Sequence, residues 1–167
     1  VTFADSKGGD IPDKYNRTLS YDANGGKNAP AAEQGKFDGE SYELSSEIPT
    51  HDKAEYDGKQ TDVIFIGWMR NSDDGKIYRN GDSVPDIIKN VEFDGKDVTV
   101  YAAWGYDTDG DKVPDVKDTY YTVTTEVAGD KGGRITPENP TVKKDSKQEF
   151  TIKANDGYAL KTIAVNN

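Results

Sequence analysis

The sequence predicts a mainly β protein, at most α+β, built from small modules in series. Three observations carry this. Hydrophobic residues make up only 33% of the 167 residues, which is thin for one large core. Apolar and polar residues alternate over short stretches bounded by Gly, Asn and Asp, the period of a half-buried strand. The same order of features also occurs twice: ADSKGGDIPDKY leads into RTLSYDANGG, and GYDTDGDKVPDVKD leads into YYTVTTEVAGDKGG. Such a repeat implies tandem modules joined by acidic loops. The expected division is a degenerate acidic loop at 1–15, a first module at 16–105, an acidic linker at 106–119 and a second, incomplete module at 120–167.

In the first module, Leu19 and Tyr21 alternate with Thr18 and Ser20, and Asn24-Gly25 supplies a tight turn. The stretch from Lys27 to Gln60 is polar and rich in Gly, Glu and Asp; it is expected to be mostly loop, with Tyr42-Glu43-Leu44 its best short strand. Val63 to Ile66 makes the strongest strand, ending at Gly67-Trp68. Asp74-Gly75 and Asn80-Gly81 are turns around Ile77 and Tyr78. Ser83 to Asn90 is expected as one short helix, with Ser83 as N-cap and Pro85 in its first turn. VTVYAAW closes the module, with Val98, Val100, Ala102 and Trp104 on one face and Thr99, Tyr101 and Ala103 on the other. In the second module, Tyr121, Val123 and Thr125 alternate with polar neighbours, as do Phe150 and Ile152, and Leu160, Ile163 and Val165 are expected to begin a last strand.

Net charge is −10, from 21 basic and 31 acidic residues. This argues against nucleic acid, whose binding rests on Lys and Arg neutralising phosphates, and against anionic membrane surfaces. No apolar run approaches the roughly 18 residues of a membrane span. Cysteine is absent, so disulfides and thiolate metal sites are excluded. His51 is the single histidine; it sits in a polar stretch, is expected to be solvated, and has no nucleophile motif to serve. Trp68 and Trp104, at the ends of aliphatic strands, are expected in the core. Nothing singles out catalytic residues, and the expectation is that the chain is not an enzyme.

One stretch carries a nameable chemistry. From Asp107 the aspartates fall at Asp107, Asp109, Asp111, Asp115 and Asp118, which are positions 1, 3, 5, 9 and 12 of an oxygen-ligand calcium loop. Side by side, such carboxylates repel unless a cation neutralises them. The expected metal set is these five with the backbone carbonyl of Val113, and the expected cofactor is calcium, since magnesium prefers to keep its waters. In the opening segment Asp5, Asp10 and Asp13 form a worn copy in which Lys7 and Gly9 stand at ligand positions.

The order YDANGG, FIGW, a turn-rich stretch with Gly81 and then VTVYAAW, over about Tyr15 to Gly105, resembles the internalin-type B-repeat of bacterial cell-surface proteins. The segment from Tyr120 resembles its divergent relative through GGRITP and NDGYAL but lacks the closing aromatic strand. The central loop resembles a thrombospondin type 3 repeat, with Lys112 where that pattern has glycine. The resemblance implies a β-grasp-like first module and an extracellular location, attached to the cell wall or cell surface through regions outside this chain. It also implies a non-catalytic structural or adhesive role, with a host or cell-surface protein or glycan as partner and calcium stiffening the junction between repeats. The alternative is a carbohydrate-binding accessory module of a secreted enzyme, using exposed Tyr42, Tyr56 or Tyr78.

Overall fold

The computed structural model describes residues 16–129 and 131–165, so Asp5, Asp10 and Asp13 lie outside the described residues. The chain is mostly β, in small sheets. It divides into two compact units between Lys117 and Asp118, inside the segment expected as a linker.

The first unit is organised by two long strands, β5 (Lys59–Met69) and β8 (Val98–Asp107), which pair antiparallel. β1 (Arg17–Asp22) joins β8 in parallel, with Leu19 opposite Val98 and Tyr21 opposite Val100. β2 (Glu33–Lys36) and β4 (Ala54–Tyr56) form the outer strands, giving the order β2-β1-β8-β5-β4. β6 (Ile77–Tyr78) adds a short parallel pairing to β8, and β3 (Ser41–Glu43) pairs with β7 (Asn90–Glu92) in a separate ladder.

The alternation in β8 sorts its side chains as expected. Val98, Val100, Ala102 and Trp104 enter a cluster with Leu19, Tyr21, Leu44, Trp68, Val91 and Phe93. Ala103 faces the opposite cluster, with Ile66, Met69, Tyr78 and Val116. Both tryptophans are therefore core, and the Trp104 indole N–H donates to the Ala23 carbonyl at 2.8 Å. The Asn-Gly turn is pinned by Asn24, whose amide donates to Asp73 and the Ala102 carbonyl and accepts from Ser72 and the Gly75 N–H. These four bonds satisfy a buried amide that would otherwise be costly.

Two local expectations are corrected. Ser83 to Asn90 forms no helix. Gly67 has φ +152 at a register shift in the β5–β8 ladder, and the Ile87 side chain fills the space that a Cβ there would need. Ile88 then donates its N–H to the Trp68 carbonyl at 2.9 Å, so packing across the bulge holds the segment extended. The polar stretch from Lys27 to Gln60 is mostly loop, as expected, but it also carries the short strands β2, β3 and β4 and the start of β5. β2 and β4 are edge strands of the main sheet, where charged residues protect open edges. In the second unit, β9 (Tyr120–Thr122) pairs with β11 (Thr141–Lys143) and β10 (Gly133–Thr136) with β12 (Thr151–Ala154). No strand forms from Leu160 to Val165; Leu160, Ile163 and Val165 are exposed. Among the described residues no helix is long and apolar enough to cross a membrane.

Candidate metal centre

The acidic loop begins on the sheet and returns to it. Asp107 is the last residue of β8, and Asp115 opens a single 3-10 turn, Asp115–Lys117. Both are buried, each 3% exposed. Between them the chain folds over its own carboxylates. Asp107 accepts the Gly110 N–H at 2.8 Å and the Lys112 N–H at 3.2 Å, while Asp115 accepts the Thr108 N–H at 3.0 Å. Asp109 accepts from the Asp111 N–H, and Asp111 from the Val113 N–H at 2.8 Å. These bonds tie the carboxylates to the loop's own backbone, as short aspartates readily bond nearby backbone N–H groups.

The result is that Asp107, Asp109 and Asp115 each offer a carboxylate oxygen within 4.8 Å of the others. Two oxygens on one calcium ion, at 2.3–2.6 Å each, are at most about 5 Å apart. The three carboxylates therefore fit around a single hard cation, and their all-oxygen chemistry suits one. This cluster could hold a metal ion. Of the remaining expected ligands, Asp111 and Val113 lie on the exposed loop tip. Asp118 falls beyond the division between the units. Its carboxylate is 3% exposed and lies 2.9 Å from the Lys143 ammonium, with the Tyr120 hydroxyl donating to it at 3.4 Å.

Two features near the cluster are invisible in local spacing. Asp62 on β5 stands directly opposite Asp107, and like charges so placed repel. It is compensated by Lys53 at 2.9 Å and Lys112 at 3.9 Å. The hydrogen-bonded Lys53, with a smaller contribution from Lys112, holds the Asp62 carboxyl below the usual range. Lys112 itself has φ +72, a left-handed conformation that glycine adopts without steric cost. The second feature is Pro114, which packs so near Gly105 that a Cβ there would lie 2.9 Å from the proline ring.

The other candidates separate clearly. Tyr78 is 8% exposed, Tyr42 packs edge-on against Phe93 and Tyr56 against Tyr106, so none of these rings is an exposed platform. The His51 ring lies 5.0 Å from Trp104, with Nδ1 2.6 Å from the Asp52 carbonyl oxygen, and so it packs on the core rather than standing free in solvent. In the second unit a cleft of about 520 Å³ is lined by Val127, Ile135, Ile152, Tyr158, Leu160 and Ile163 among others. Compared with protein-family models, with characterised proteins and with solved structures, the chain matches none.

Proposed function

We propose that this chain is a non-catalytic structural or adhesive segment of an extracellular bacterial surface protein, in which calcium orders the loop that ends the first repeat. The observation that carries the reading is the convergence of Asp107, Asp109 and Asp115 at the end of the central strand. Asp111 and the Val113 carbonyl complete the ligand set from the loop tip. Asp118, the remaining expected ligand, pairs with Lys143. The B-repeat resemblance supports the surface role, and the parallel pairing of β1 and β8 within a mixed sheet supports a β-grasp-like first repeat. A weak all-oxygen site is useful where calcium is millimolar, which favours the outside of the cell.

Titration calorimetry on chelator-stripped protein tests the reading directly. Calcium should bind at a single site in the ~10⁻⁴ M range typical of extracellular modules, with magnesium much weaker. Small-angle scattering should change when chelator is added. No heat with calcium, or scattering indifferent to chelator, would overturn it.

A further inference from the structure

The acidic loop is followed at once by residues that close the outer face of the first sheet. Val116, in the 3-10 turn, is buried against Ile66, Met69, Tyr78 and Ala103, with Ile87 at the margin. Pro114 sits on Gly105. The Lys117 ammonium donates to the Ile66 carbonyl at 3.0 Å, and the Lys117 N–H closes the turn onto the Pro114 carbonyl at 2.8 Å. Val116 is the one buried member of this apolar cluster that comes from beyond β8.

We infer that Pro114 to Lys117 forms a strap over this face, and that docking of the strap and occupancy of the carboxylate site are a single coupled equilibrium. The inference rests on the calcium reading above and names what that site regulates. The coupling is geometric. Asp107 follows Gly105 by two residues on β8, and Asp115 lies between Pro114 and Val116. A cation drawing Asp107 and Asp115 together therefore holds Pro114 and Val116 on the sheet. Without it, three carboxylates within 4.8 Å repel, and burial of Val116 and the Lys117–Ile66 bond oppose that repulsion. Loss of calcium then uncovers Ile66, Met69 and Tyr78. By linkage, whatever factor calcium adds to strap docking, the docked strap adds to calcium affinity.

The test uses the full chain, with calcium calorimetry and peptide-level hydrogen exchange. In the wild type, calcium should slow exchange across Lys59–Met69 at least fivefold. Val116→Ala removes no ligand, yet should weaken calcium binding about tenfold, while Val116→Ile keeps wild-type affinity. Fluorescence of Trp68 and Trp104, both in the other cluster, reports whether the fold survives. Should Val116→Ala lose that signal, Lys117→Met carries the same test with a two- to threefold loss. Calcium binding that is unchanged in these variants, with exchange in Lys59–Met69 indifferent to calcium, overturns the strap and leaves the calcium site standing. An absence of calcium heat in the wild type overturns the calcium reading and the coupling with it.

Discussion

In the first unit, Ala102 through Asp107 are buried without interruption, whereas after Asp118, of which only the side chain is covered, no described residue is buried. Both regions contain hydrogen-bonded strands. The difference is what covers the faces. β8 is paired on both sides and packed on both faces. In the second unit, two separate two-stranded ladders leave Tyr121, Ile152, Tyr158 and Leu160 exposed. Isolated two-stranded sheets are marginal in water, and a covered apolar face supplies most of the stability. The contrast teaches that alternation marks a segment able to be a strand, while burial decides how much it contributes.

The sharpest way to break that comparison is to truncate one residue in each region. Trp104→Ala removes a side chain 1% exposed together with its bond to Ala23, and should cost about 3–5 kcal/mol of first-unit stability. Ile163→Ala, at a position 61% exposed, should stay within about 0.5 kcal/mol. Guanidinium denaturation followed by circular dichroism and by the remaining tryptophan measures both. Comparable losses at the two positions would erase the contrast.

The buried tyrosines extend the comparison to pH. Burial, reinforced by the hydrogen bond to Glu33, pushes the Tyr21 hydroxyl up to about 12, and burial together with Asp73 does the same for Tyr78. The fold favours the protonated phenol. The stability this confers is complete below the ordinary value near 10 and is lost as pH rises toward about 12. Alkaline titration should show the first unit losing stability across that window, with the Tyr21 and Tyr78 phenolates appearing only above the ordinary value near 10. Tyr21→Phe should flatten part of the loss. Titration of Tyr21 at the ordinary value near 10 would contradict its packing against Trp68.

Much of this architecture was legible because it depends on local period. The two faces of VTVYAAW, the turn at Asn24-Gly25 and the core placement of both tryptophans follow from alternation and turn chemistry alone. The helix expected at Ser83 to Asn90 failed because Gly67, far along the chain, opens a space that Ile87 fills. β2 and β4 read as loops because edge strands carry the charges that keep edges from aggregating. At the candidate site, Asp107, Asp109 and Asp115 were legible from spacing. Asp118 also fitted the spacing, but its partner Lys143 could not be seen from it. Asp62 was invisible for a similar reason, since its position opposite Asp107 is set by strand register.

A smaller effect is expected from removing one carboxylate. With an affinity near ~10⁻⁴ M and ~1 mM calcium, binding should stabilise the wild type by about 1.4 kcal/mol. Asp109→Ala should abolish that increment, and thermal scans with calcium and with chelator should then coincide. A calcium-dependent shift that survives the substitution would place the ion elsewhere.

The smallest effect, and the one that most sharpens the view of the loop, is expected at Lys112. Glycine there relieves a left-handed lysine, but it also enlarges the conformational freedom of the unfolded chain, and these contributions are each of order 0.5–1 kcal/mol and opposite in sign. The pair with Asp62 is long, at 3.9 Å, and exposed on the lysine side, so its loss adds little. Lys112→Gly should therefore leave cation-free stability within about 0.5 kcal/mol. It also removes a positive charge from beside a site that must attract a cation, so calcium affinity should rise about two- to threefold, most visibly at low salt. An affinity that fell instead would mean that the lysine's tie to β5 positions the loop, and that its charge is the lesser of its two effects.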